Sequence, residues 1–112
     1  MAILSLDQIK ESVDLPTEVV SVPEWGGDVI VQGASLNDGM DLLKKMQGAD
    51  GKTDPEKAAL YSLLYGVVEP KFTEDDLVWL KQKSMAPITR ITNAFTRLSG
   101  FEQKALDEAR KN

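Results

Sequence analysis

Apolar and polar positions alternate along only one part of the chain. Between Thr17 and Gln32, TEVVSVPEWGGDVIVQ, two valine-rich runs flank Pro23-Glu24-Trp25-Gly26-Gly27. Apolar runs of period two around a Pro/Gly turn predict a β-hairpin. With Glu24 to Gly27 as its loop, Val22 faces Val29 and Val20 faces Val31 on one side. Ser21 then faces Ile30, and Val19 faces Gln32, on the other. Four valines make a core face, and a lone hairpin is marginal in water, so helices are expected to pack on it. The back face, with Val19 and Ile30, is less polar than a solvated face; either the first helix or a partner is expected to cover it. Pro23 has no N–H to give to a ladder and suits a strand end. Gly26-Gly27 permits positive φ at the turn.

Elsewhere the period is helical. Ser5 and Gln8 have the spacing of a capping box, Leu4 and Ile9 that of a hydrophobic staple, and Pro16 ends this first short helix. Ser35 starts a second helix, with Leu36, Met40, Leu43 and Met46 at helical spacing, weakened by roughly 1 kcal/mol at Gly39. Residues 48–55, GADGKTDP, read as a flexible loop. Its Gly51-Lys52-Thr53 lacks the earlier glycine and the preceding strand of a phosphate loop, and Asp50 and Asp54 miss the calcium-loop spacing. Asp54 with Pro55 begins a third helix. Leu60, Leu63, Leu64, Val67 and Val68 form its main stripe and Tyr61 and Tyr65 a second, which places it centrally, against the valine face. Thr73 with Asp76, and Phe72 with Leu77, start a fourth helix; Leu77 and Leu80 face inward, while Val78 and Trp79 lie off that stripe. In the fifth helix, from Ser84, the buried stripe is Ile88, Ile91, Phe95 and Leu98. Arg90 and Arg97 share one exposed line, either solvated or open to an acidic partner segment. Gly100 suits C′, and Phe101 can fold back on Phe95. The tail, 101–112, reads as a short frayed helix. The expected fold is therefore α+β, mainly α. It is one domain over 1–112, with a short helix and a hairpin (17–32) packed on a bundle of about four to five helices (35–100).

Composition narrows the function. The 112 residues include neither cysteine nor histidine, which removes thiolate nucleophiles, imidazole acid–base chemistry and Cys/His zinc sites. The one dense acidic run, Glu74-Asp75-Asp76, falls in a first helical turn, where acids complement the helix dipole. No enzyme, cofactor or metal is expected. The N-terminus lacks the basic and apolar regions of a signal peptide, and no run approaches the ~20 apolar residues of a membrane helix. The net charge of −5 is unevenly spread: residues 1–41 hold eight acids and one lysine, residues 42–112 ten acids and twelve bases. This balance opposes phosphate binding, so no nucleic acid is expected. The acidic half is either a solvated surface or a face offered to a basic partner or another copy.

Two stretches together carry a resemblance. VPEWGGDVIVQG supplies a P-x-W-G hairpin, and PKFTEDDLVWLKQKSMAPITRITNAFTRLSG supplies a segment from Phe72 to Ser84 followed by an isoleucine/leucine helix ending in L-S-G. The pattern, over roughly residues 15–105, resembles the tail assembly chaperones of long-tailed bacteriophages and prophages. Residues 36–66 carry no mark of it. The resemblance implies a non-enzymatic protein of the infected or lysogenic bacterial cytoplasm, absent from the mature virion. Its implied partners are the tape measure protein, the tail tube protein and a frameshift-extended form of itself; the final Arg110-Lys111-Asn112 is compatible with a slippery heptamer. The partner seat is then sought among Tyr61, Tyr65 and Trp79, with Trp25 as anchor and Met40 and Met46 as adaptable contacts or core. Val19 and Ile30 are candidates for self-association, and Arg90 and Arg97 for an acidic segment. Competing readings are a head–tail connector or tail terminator in the virion, and a helix-turn-helix regulator built on the fourth and fifth helices. Pro87 and the acidic balance oppose the regulator.

Overall fold

The structure, a computed structural model, describes residues 2–101. It is an α+β fold, mainly α, in the order α1 (Leu6–Glu11), β1 (Thr17–Val22), β2 (Gly27–Gln32), α2 (Leu36–Lys45), α3 (Pro55–Gly66), β3 (Val67–Glu69), α4 (Leu77–Leu80) and α5 (Met85–Leu98). The strands form one antiparallel sheet, β1-β2-β3.

The helix starts follow their local chemistry. The Ser5 N–H donates to Gln8 Oε1 at 2.8 Å and the Gln8 N–H donates to Ser5 Oγ at 3.2 Å, closing the capping box. Ser35 Oγ accepts from the Asp38 N–H. Asp54 Oδ1 accepts from the N–H groups of Glu56 and Lys57, with Pro55 in the first turn of α3. Thr73 donates from both its N–H and its hydroxyl to Asp76. That segment opens as a 3-10 turn, Glu74–Asp76, before the single turn of α4. Gly100 is left-handed at φ 83° and ends α5, as its place after the last apolar turn predicts.

The hairpin forms in a register two residues away from the expected one. Val20 pairs with Val29, Val19 with Ile30, and Val22 with Gly27. The cause is the turn: Pro23–Trp25 makes a 3-10 turn, only Gly26 takes positive φ (81°), and its N–H donates to Pro23 O at 3.1 Å. Gly27 is thereby left to the strand. A slip of two preserves the faces, because side chains alternate with period two. Val20, Val22, Val29 and Val31 all remain buried.

Three further expectations are corrected. Val67 and Val68 do not extend α3; they form β3, where two β-branched residues shortly before Pro70 favour extended backbone. The helix on the valine face is α5, which crosses β1 and β2, while α3 packs between α2 and α5. Residues 48–55 are tied by backbone bonds rather than loose. The Gly48 N–H donates to Lys52 O at 2.7 Å, the Asp54 N–H donates to Met46 O at 2.8 Å, and Gly51 turns at φ 79°. The expected tail helix lies outside the described residues, apart from Phe101.

The crossing of α5 needs two side-chain-free positions. A Cβ on Gly33 would stand 2.5 Å from the Leu98 carbonyl oxygen, and one on Gly66 would stand 2.7 Å from Cδ1 of the buried Phe95. Gly33→Ala should therefore destabilise the fold by about 1–3 kcal/mol, since backbone cannot move aside as a flexible side chain can. Gly27→Ala, which meets nothing within 4 Å, should be neutral or slightly stabilising. Urea unfolding of the two variants checks the contrast.

Candidate functional site

Among the sequence-predicted residues, Arg90 and Arg97 change meaning most. Neither projects freely. Arg90 Nη1 and Nη2 donate to Glu24 Oε1 and Oε2 at 2.9 and 2.8 Å, and Nη1 also donates to Ser21 O at 3.3 Å. Arg97 makes the same fork on Glu18, at 3.0 and 2.8 Å. Seven residues apart on α5, the two guanidiniums meet two carboxylates from the first strand and its turn. They bolt the helix across the sheet and are not open to an acidic partner. Two acids of the acidic half thus find their bases inside the chain.

Trp25 is also not a free tip. The 3-10 turn folds it against the core, half-buried. Tyr61 and Tyr65 lie at the α2–α3 seam, also half-buried. The Tyr65 hydroxyl donates to Asp41 on α2; that hydrogen bond, with burial and the nearby carboxylates, pushes its pKa up to about 12. Lys45 Nζ stands 5.9 Å above the Tyr61 ring and 3.7 Å from a Glu74 carboxylate oxygen. Trp79 stays 46% exposed, edge-on to Phe72 at 6.1 Å, with its Nε1–H donating to Asp76 Oδ1 at 3.0 Å. Val19 is 64% exposed on the back face beside the half-buried Ile30. The first helix does not cover that pair: every residue from Ala2 to Asp14 is exposed.

The structure's own candidate surface lies on α2, where three of the four periodic residues are exposed and Met46 packs against the core. Gly39 and Leu42 are the buried residues of α2; Leu36, Met40 and Leu43 point outward, Leu36 with 83% of its surface exposed. The signal that distinguishes the two faces is Gly39. Gly39 is buried with Leu42 on the inner face, where an added Cβ would meet Phe101 Cζ at 3.9 Å, an ordinary contact. Beside this stripe opens an apolar cleft of about 160 Å³ walled by Leu42, Leu43, Met46, Phe95 and Phe101. Leu36, Met40 and Leu43, at i, i+4 and i+7, form a continuous ridge leading to the cleft. Such a surface offers apolar contact and an adaptable thioether, with Ser62 and Thr96 also lining the cleft.

Comparison of the chain with family models, with curated proteins and with solved structures returns no match. Among the described residues, no helix is long and apolar enough to cross a membrane.

The ion pairs give the fold a definite acid response. The hydrogen bond from Arg90, ahead of one from the backbone, lowers the Glu24 pKa to about 2 from its ordinary 4.5; that from Arg97 lowers the Glu18 pKa. A carboxylate lowered in the folded state contributes stability that is complete above its unfolded pKa and is lost as pH falls through the folded one. The Glu24–Arg90 contribution should therefore disappear between about pH 4.5 and about pH 2. Urea midpoints of the wild type and Glu24→Gln should differ at neutral pH and converge across that window.

Proposed function

We propose that this protein is a tail assembly chaperone of a long-tailed bacteriophage or prophage. It holds the apolar helical faces of the tape measure protein before assembly and brings in tail tube subunits. The observation that carries the reading is the α2 surface: an apolar ridge at helical spacing, left open beside an apolar cleft. An unassembled tape measure protein presents long apolar helix faces that aggregate, and an amphipathic helix laid along such a ridge buries them at i, i+3, i+4 spacing. Met40, unbranched and polarisable, allows one seat to accept successive, non-identical stretches. The resemblance of the hairpin and the Phe72–Gly100 segment to that family supports the same reading.

In this reading the partner seat moves from the tyrosines to α2. Tyr61 and Tyr65 act as its supporting wall, and Trp79 is a separate ridge. The chaperone acts in the bacterial cytoplasm and leaves before the virion is complete. Co-expression should keep the tape measure protein in the soluble fraction and co-purify with it. Leu36→Asp/Leu43→Asp should weaken that capture about tenfold for each lost anchor, with an unchanged melting temperature. Equal rescue by the double variant would move the seat elsewhere, and absence of any rescue by the wild type would end the reading.

A further inference from the structure

The C-terminal end of α5 aims the chain that follows it. The Gly100 N–H donates to Arg97 O at 3.2 Å and the Phe101 N–H to Thr96 O at 2.9 Å, with Gly100 left-handed between them. These are the two bonds of a Schellman stop, which reverses the backbone as the helix ends. The reversal carries Phe101 onto α2, where it walls the apolar cleft beside Gly39. Residues 102–112, which follow the described part of the chain, therefore start at the cleft, next to the open ridge of Leu36, Met40 and Leu43.

The sequence of that segment, EQKALDEARKN, suits the ridge. It holds no glycine, proline or β-branched residue, and most of its positions are strong helix formers. At helical spacing Ala105, Leu106 and Ala109 share the side of Phe101, with Glu102 in the first turn as the one charge among them. Lys104 with Glu108, and Asp107 with Lys111, are opposite charges four residues apart, which supports a helix. Glu102, Asp107 and Glu108 balance Lys104, Arg110 and Lys111, so apolar contact rather than charge decides where the segment rests. Its eleven residues span about 16 Å as a helix, and Leu36 to Leu43 about 10 Å. The segment is long enough to run the length of the ridge.

We infer that residues 102–112 pack as a helix along the α2 ridge of their own chain, with Leu106 seated between Met40 and Leu43. The tether at Phe101 makes the contact intramolecular, so its effective concentration is high and independent of how much protein is present. A contact with one large anchor can then hold, and a partner with a longer apolar face can displace it. The docking stands apart from the function proposed above. Its consequence, competition between the segment and the partner, rests on the reading of α2 as the tape measure seat.

Methyl NMR of the full chain, labelled at its methionines, tests the docking with no partner present. Leu106→Asp should shift the Met40 methyl resonance and leave that of Met85, exposed at the far end of α5, unchanged. The chain has no cysteine, so a nitroxide on Glu108→Cys is the sole spin label and should broaden Met40 far more than Met85. Mixing that spin-labelled chain, free of isotope, with isotope-labelled wild type should leave Met40 sharp. An unshifted Met40 or equal broadening of the two methyls overturns the inference. So does broadening of Met40 in the mixture, which places the segment on another copy.

Capture of the tape measure protein tests the consequence. Leu106→Asp should bind it about tenfold more tightly than the wild type does, the factor for a seat free about one-tenth of the time. Unchanged capture beside a shifted Met40 overturns the competition. A wild type and a variant that both capture nothing end the reading of α2 as the seat, and the docking still stands or falls by the methyl spectra.

Discussion

The fold depends on one crossing: α5 laid over the valine face of the hairpin, with Phe95 almost wholly buried beneath it. Two strands alone bury too little to persist in water. A helix on their apolar face supplies what is missing, but only if it comes close enough to exclude solvent. Gly33 admits the Leu98 backbone at one end of the crossing and Gly66 admits the Phe95 ring. Ser99 then accepts the Ala34 N–H on its hydroxyl at 2.9 Å, which ties the exit of β2 to the end of α5. The two arginine forks fix the angle from the other side. With the crossing set, α3 is wedged between α2 and α5, and its last residues have only the sheet edge left to join, as β3.

This constraint gives the short segments Pro23–Gly27 and Leu98–Gly100 physical jobs. The 3-10 turn at Pro23 to Trp25 places Glu24 under Arg90 and folds Trp25 onto the core. Leu98, Ser99 and Gly100 make the close approach, the hydroxyl tie and the left-handed stop in three consecutive residues. Residues this constrained describe how the chain is held together, and they leave its chemistry unspecified. Function then falls to the surfaces that the crossing leaves bare.

Local chemistry made the element starts legible in the sequence. Ser5, Ser35, Asp54 and Thr73 are read correctly because a cap needs only neighbours three or four residues away. The faces of the hairpin are legible for a similar reason, since alternation survives a register slip of two. Interactions across the chain were not legible. Arg90 and Arg97 share an outward line on an isolated helix; their carboxylate partners lie more than sixty residues earlier, and only the crossing brings them together. The buried face of α2 was not legible either, because Leu36, Met40 and Leu43 satisfy the helical period as well as Gly39 and Leu42 do. Periodicity ranks faces by apolar content, whereas packing against α3 buries the face that carries Gly39 and Leu42. The glycine, counted as a weakness in the helix, was the better pointer to its buried side.

The outward stripe of α2 bears on where partners are to be sought. Scattered exposed apolar residues are normal on any small domain and need no explanation. Here they gather instead, on the N-terminal arm, residues 2–15, and on the outer face of α2, at spacings that place them side by side. Each group also ends at chemistry of its own. The α2 ridge runs into an apolar cleft with Phe101 at its wall, suited to a long apolar face without charge selection. The arm instead carries Asp7, Glu11 and Asp14 among its apolar residues. Charge is what separates them. An apolar surface without charged marks discriminates little between apolar faces, whereas charged marks select by sign.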